Sequence, residues 1–413
     1  MRILGLEPYY GGSHRAFLDG WTSRSRHDWT LLTLPATKWK WRMRHAPYTF
    51  SRRVDEAISA PSSRIPDLDG TQSSRSVRSG GPGLHRRRSV PPVLSGTPGA
   101  APWDLIFASD MLSLAEFLGL APDPVRRLPS LLYFHENQIT FPVEYEQERD
   151  HHFGFSNMNS ALAASRVWFN SSFHLESFLG GLRALLRRMP DHHSLEAAET
   201  IRGKSCIRPP GIDPFPPRGP RPGGPLRILW AARWENDKRP DLFFEALSLL
   251  ASRGVDFRIS VIGGGNASPI APVFAEARPR FANRILHWGY LESREEYRAV
   301  LAGADVVVST ADHEFFGISA VEAIAAGAYP LFPDRLAYPE ILQEAGEEGE
   351  RLFLYDGRPT ELARRLADLA DRLDHGDLWQ GDPACAVRAV ERFTWDHLVP
   401  TWDGEVEEMA GVR

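Results

Sequence analysis

The sequence predicts an α/β protein built from two doubly wound, Rossmann-like domains that face each other across a cleft. Three observations carry this expectation. At 413 residues the chain is too long for one ordinary core. Short apolar runs alternate with amphipathic stretches almost throughout, the pattern of parallel strands joined by crossover helices. A proline-rich segment, RPPGIDPFPPRGPRPGGP (208–225), divides the chain, and such a stiff, extended stretch suits a linker between two sheets.

In chain order, RILGLEP, WTLLTLP, WDLIFASD, PSLLYFHE and RVWFNSS read as strands of the first domain, each ending in polar or glycine punctuation. LRILWAARW, FRISVIGGG, RILHWGY, ADVVVST and AYPLFPD repeat the pattern after the linker. Between these, PDLFFEALSLLASRG and REEYRAVLAGA have helical periodicity. The expected boundaries are a first domain over 1–210, a linker over 211–225, a second domain over 226–395 and a helical tail over 396–413. Residues 61–102, rich in Ser, Arg, Gly and Pro, have neither period and are expected to be a disordered insertion. Arg86, Arg87 and Arg88 lie in it, read as solvated.

Bulk properties narrow the class. Apolar and charged fractions of 42% and 24% are those of a soluble globular protein. No run of eighteen apolar residues occurs, so no membrane span is expected. MRILGLEPYYGGSH carries polar residues where a signal peptide would be apolar and reads as a buried first strand. Cys206 and Cys385 are too few for a disulfide framework or a structural zinc site, so a cytoplasmic location is expected. The net charge of −5 hides an asymmetry: residues 1–110 hold 16 Lys and Arg against 9 Asp and Glu, the remainder 32 against 44. A basic first part is what a localised anionic partner requires, although arginine-rich loops often have no partner.

In doubly wound domains ligands bind beyond the carboxyl ends of the strands, where the unusual residues collect. Gly11 and Gly12, in YYGGSH, let backbone approach a ligand ahead of a helix start, with Ser13 and His14 following. The pattern is not G-x-G-x-x-G, which argues against a dinucleotide. LLYFHENQITFP ends a buried strand in His135, Glu136, Asn137 and Gln138, an edge suited to a polar substrate. A zinc site is poorly supported, because Ile139 stands where H-E-x-x-H needs its second histidine. Asn157 and Asn170 stand with this group; turn or cap formation is the competing role for each asparagine.

In the second half, Arg233 and Lys238 follow a strand directly, and two cations there suit a diphosphate held without a metal. VIGGG places Gly263 in a turn after the next strand. In EFFGISAVE, Glu314 lies in the loop after ADVVVST, the amides of Phe316, Gly317 and Ile318 start a helix, and Glu322 is expected about two turns along. Helix-start amides suit phosphate and carboxylates suit sugar hydroxyls, so together they fit a nucleotide sugar.

Glu314 and Glu322, spaced E-x7-E, with Arg233, Lys238 and VIGGG, resemble the donor site of retaining GT-B glycosyltransferases of the family 4 type. The resemblance implies that Arg233 and Lys238 hold the donor diphosphate, that Glu322 binds the ribose and that Glu314 bonds sugar hydroxyls. It also implies a C-terminal helix returning to the first domain. YYGGSH, SDML, YFHENQITFP, HFGFSNMNSALAA, VWFNSSFH and LLRRMPD are similar to the tRNA-queuosine mannosyltransferases, which transfer mannose from GDP-mannose to queuosine in a tRNA anticodon. This likeness runs from Arg2 to about Asp213, and more generically to about Trp402; residues 61–102 depart from it.

What the resemblance implies is a front-face retaining transfer, in which the leaving phosphate accepts the acceptor proton and His135 positions the sugar. Gly11, Gly12, Gly263, Phe316, Gly317, Ile318 and Glu322 are then donor contacts. Ser13, His14, Asp110, Glu136, Asn137, Gln138, Asn157 and Asn170 are acceptor-side candidates. No metal or other cofactor is expected: the only D-x-D, Asp67 to Asp69, falls in the insertion. Two other readings stand beside this one, a GT-B enzyme with a small-molecule, lipid or surface-glycan acceptor and a non-catalytic sugar- or RNA-binding module. Donor base and oligomeric state are not legible in the sequence.

Overall fold

A computed structural model describes residues 1–59, 101–142, 149–221, 223–264 and 272–411. Nearly all of the expected insertion, including Asp67, Asp69 and Arg86 to Arg88, lies outside them. The first six strands are β1 (Arg2–Tyr10), β2 (Asp28–Pro35), β3 (Leu105–Ser109), β4 (Ser130–Phe134), β5 (Arg166–Phe169) and β6 (Ser205–Ile207). They form one parallel sheet in the order β2-β1-β3-β4-β5-β6. β3 and β4 are buried along their whole length, as strands covered by helices on both faces must be.

The second sheet holds β7 (Leu226–Ala231), β8 (Phe257–Ile262), β9 (Ile285–Gly289), β10 (Val306–Val308), β11 (Tyr329–Pro333) and β12 (Leu354–Tyr355). It too is parallel, in the order β12-β11-β10-β7-β8-β9. The ten expected strands are all present. β6 and β12 were not expected: at three and two residues, on sheet edges, they are too short to carry a pattern.

Strand order fixes where ligands can bind. In the first sheet the chain runs from β1 out to β2 and returns past β1 to β3, so the crevice opens at the carboxyl ends of β1 and β3. In the second it runs outward through β8 and β9 and returns to β10, opening a crevice between β7 and β10.

The linker is anchored to the second domain, where Arg218 and Arg221 both donate to the buried Asp305. Ile212 bridges Thr394 in parallel, so the chain's two crossings between domains lie side by side. The last helix, Trp395–Met409, then packs on the first domain, one residue ahead of the expected tail. Its Trp395, Val399, Trp402 and Val406 join Ile3, Phe17, Trp21 and Trp168 in one buried cluster. Trp395 fits because Gly20 and Gly211 lack side chains: a Cβ on either would come within 2.2 or 2.3 Å of the indole. The buried Asp403 accepts hydrogen bonds from Trp21 Nε1 (3.0 Å), Ser25 Oγ (2.8 Å) and Arg26 N (2.8 Å). Among the described residues no helix is long and apolar enough to cross a membrane.

Candidate active site

The first-domain wall of the cleft begins with a residue the motifs did not single out. Glu7 is fully buried in β1, where the register with β2 shifts between Glu7 and Tyr10. Its Oε1 accepts from Tyr9 N (2.8 Å), and its Oε2 lies 3.1 Å from His14 Nδ1. A charge inside an apolar strand was the available signal. Burial alone would lower the pKa of His14, but the charge and hydrogen bond of Glu7 outweigh it and raise the value to about 9. His14 is therefore a buried imidazolium.

The His135 ring lies against His14, with centroids 4.0 Å apart. Burial, then the charge of His14, pushes His135 well below the usual histidine range, so it stays neutral. Its backbone N–H donates to Asp110 Oδ1 (2.9 Å). Burial raises Asp110 to about 8, partly offset by His14. Among the described residues two buried atoms here, His135 Nε2 and Asp110 Oδ2, have no protein partner, so each keeps hydrogen-bonding capacity that the chain does not fill. Donor atoms of Glu7, His14 and His135 lie within 4.8 Å of one another, a spacing a cation could bridge. A cation there would have to replace the contact between Glu7 Oε2 and His14 Nδ1, and an imidazole must lose its proton to ligate.

The asparagines hold this wall in place. Asn157 accepts from Gln138 N (2.7 Å) and donates to Asp110 O (3.2 Å). Asn170 donates to His135 O (3.0 Å), and its Oδ1 is 2.8 Å from His174 Nδ1. Asn137 accepts from Ile139 N and Thr140 N and donates to Thr140 Oγ1. All three are buried with both ends of the amide engaged, so their geometry supports positioning rather than acceptor contact. Gln138 donates to Glu136 Oε1 (3.3 Å), Glu136 is half-buried, and Ser13 is exposed. Gly11 and Gly12 lie on this same wall, ahead of His14; Gly12 has a φ of +51°.

The opposite wall is built at the ends of β7 and β10. Lys238 is buried, and its Nζ donates to His313 O (2.6 Å) and Glu314 Oε2 (3.3 Å) and lies 3.1 Å from Asp237 Oδ2. Burial would raise Glu314, but Lys238 more than offsets it, with His313 and Arg233 adding to the effect, so the carboxylate is held ionised. Arg233 is more open and pairs with Glu235 at 3.4 Å. Together with Gly317, Ser319 and Tyr338, Lys238 and Glu314 line a pocket. Gly263 turns beside it with a φ of +107°, where a Cβ would come within 2.4 Å of Ala232 O.

Gly317, at φ +87°, caps the helix Ile318–Ala325, whose first N–H groups lack helical partners. Phe316 packs inward against Phe393. The helix opens at Ile318, so Glu322 sits a little over one turn along rather than the two expected. Burial raises Glu322, and Tyr297, which donates to Oε2 at 2.8 Å, partly offsets this. Tyr297 lies 25 residues upstream, with no sequence signal to link the two. Both walls meet at the Glu314 loop, where Ser171 Oγ donates to Phe315 O (2.6 Å) and His174 stacks on Phe315 at 3.8 Å.

The likeness to known proteins follows the same division. Residues 2–64 and 86–212 match the family described as tRNA-queuosine alpha-mannosyltransferase N-terminal, and residues 225–372 match glycosyl transferases group 1. The chain is 33% identical over 351 residues, 82% of its length and 81% of the relative's, to the tRNA-queuosine alpha-mannosyltransferase of Drosophila melanogaster. It is 27% identical over 186 residues, 45% of each chain, to a GDP-mannose-dependent alpha-(1-6)-phosphatidylinositol dimannoside mannosyltransferase of Mycobacterium tuberculosis. The crystal structure of Anabaena Alr3699/HepE in complex with UDP superposes with a TM-score of 0.63 at 15% identity, covering 99% of this chain and 100% of that one, which shows a shared GT-B fold. With two parallel-sheet domains, a second domain of the group 1 type and this extent of identity, the chain belongs to the tRNA-queuosine alpha-mannosyltransferase family of glycosyltransferases.

Proposed function

We propose that this enzyme transfers mannose from GDP-mannose, with retention, to the queuosine base of a tRNA in the cytoplasm. One observation carries the reading: the half of the chain that matches the tRNA-queuosine family is the half that builds the His14, Asp110 and His135 wall. The group 1 match covers the Arg233, Lys238 and Glu314 wall opposite. In this reading Arg233 and the first amides of Ile318–Ala325 hold the diphosphate, with no metal ion or other cofactor. Lys238 keeps Glu314 ionised to accept from sugar hydroxyls. Preorganised charge of this kind supplies the largest share of such catalysis.

The acceptor hydroxyl attacks the anomeric carbon on the face the diphosphate leaves. The C–O bond to phosphate breaks as the new glycosidic bond forms, and the acceptor proton passes to the departing phosphate oxygen. Neutral His135, through Nε2, orients the sugar against this face. The test is incubation with radiolabelled GDP-mannose and tRNA that contains or lacks queuosine. Label should enter only the queuosine-containing tRNA; equal labelling of both, or of neither, defeats the reading.

A further inference from the structure

The basic excess of the first part has a definite location. Between residues 36 and 54 the chain carries Lys38, Lys40, Arg42, Arg44, Arg52 and Arg53, and no acid. Nearly all of this stretch is the helix Trp39–Ser59. The helix buries Met43, Ala46, Pro47, Phe50 and Val54 against the domain and turns Lys40, Trp41, Arg44, Tyr48 and Arg52 outward. Trp41 and Tyr48 are 60% and 59% exposed, among the few large side chains left so open.

Single exposed aromatics are common and need no explanation. Here two lie seven residues apart, on one helix face and about 10 Å from each other along the axis, with a cation between them. The ring of His45 lies against Trp41, 4.9 Å between centroids. Among the described residues Lys38, Lys40, Arg44 and Arg53 have no carboxylate partner, and Arg42 donates to Pro35 O, Thr37 and His45 rather than to an acid. Unneutralised cations interleaved with open aromatic faces match the needs of single-stranded nucleic acid, phosphates for the former and base stacking for the latter.

The surface is continuous with the acceptor wall. Trp39 and Met43 cluster with Tyr9, Met111 and Phe153, neighbours in sequence or contact of Gly11 and Asp110. Gly11 lies so close to Ala36 that a Cβ would come within 2.4 Å of its methyl group. An anionic membrane is the rival partner for a basic helix. Membrane-surface helices insert an apolar face, and the apolar face of this helix is already buried.

We infer that the outward face of helix Trp39–Ser59 binds the single-stranded loop of the acceptor RNA, presenting the modified base to the wall built on His14 and Asp110. This rests on the tRNA acceptor proposed above. Trp41 and Tyr48 stack on bases, and Lys40 and Arg44 neutralise phosphates.

The experiment uses the full chain, GDP-mannose and queuosine-containing tRNA, with two double variants: Trp41→Ala with Tyr48→Ala, and Lys40→Ala with Arg44→Ala. Each should raise KM for tRNA at least about tenfold and leave the thermal shift given by GDP-mannose unchanged, which establishes that the fold is intact. The lysine–arginine variant should also reduce the salt slope of tRNA binding by ~1.4, while the aromatic variant leaves that slope as it is. Wild-type KM and salt slope in both variants, with the parent enzyme active on tRNA, would overturn this surface alone. If the parent neither binds nor mannosylates tRNA, the acceptor reading and this inference fall together. Loss of sedimentation with phosphatidylglycerol vesicles, with tRNA kinetics unaltered, would assign the face to a membrane and overturn the inference.

Discussion

Lys238 donates to Glu314 and the His313 carbonyl and pairs in charge with Asp237. Its first effect is therefore on the ionisation of Glu314, held below the usual carboxylate range. In Lys238→Met that hold is lost and burial dominates, so Glu314 should take up its proton at higher pH. The acid limb of the kcat/KM profile is expected to move to higher pH; an unmoved limb rules out this coupling. Glu314→Gln removes a charge-assisted hydrogen bond worth ~1.5–3 kcal/mol, or roughly ten- to a hundredfold in transfer. Affinity for GDP should be nearly unchanged, and His135→Ala should behave alike. Arg233→Ala should instead weaken GDP binding directly. The Glu7 and His14 pair gives a stability prediction. With a folded value of about 9 against 6.5, His14 contributes stability that is complete below pH 6.5 and lost as pH rises through 9. Asp110, raised from 3.8 to about 8, adds a fall in the same direction that begins above pH 3.8 and is complete by about pH 8. Urea unfolding should show this fall between pH 6.5 and 9, and a Glu7→Gln, His14→Gln double variant should show less of it. An identical fall in that variant would remove the pair as its source.

At the level of elements, the turns hold the site in register. Gly263→Ala forces a Cβ against Ala232 O at a positive φ, a strain of about 1–3 kcal/mol, and moves the backbone beside Arg233. A lower melting temperature and a higher KM for GDP-mannose are expected; a silent variant would show that this turn tolerates a side chain. The strands were legible because apolar runs such as SLLYF and VVV have no other stable placement. β6 and β12 were not, since two or three edge residues leave no period to read. The candidate site residues were chosen by their position at strand ends, and the sequence could not separate contact from support. Asn157 and Asn170 look like binding residues until both ends of each amide are seen bonded to the chain. Glu7 hid in the opposite way, as a charge within a strand, and Tyr297 meets Glu322 only through the fold.

For the whole molecule, GDP-mannose should raise the melting temperature of metal-stripped protein without added Mg²⁺, since binding to the native state stabilises all of it. A shift that needs a divalent ion would refute the metal-free proposal. Ending the chain at Thr394 removes Trp395, Val399, Trp402 and Val406 from the cluster around Trp21 and Phe17 and exposes that apolar face. The truncated protein should be recovered largely insoluble, and soluble protein with normal activity would contradict this packing. The same helix also bears on how the protein is made. A ribosome releases the first domain's strands early, but the tryptophans that close their core emerge only after the whole second domain. Until that helix is made the nascent chain therefore displays an open aromatic face, a ready site for chaperones. The wall that holds His14 and His135 rests on Phe17, whose contact with Trp402 forms only after the second domain has been made. Products terminated before Trp395 would thus carry the residues of both walls with the aromatic cluster beneath His135 still open.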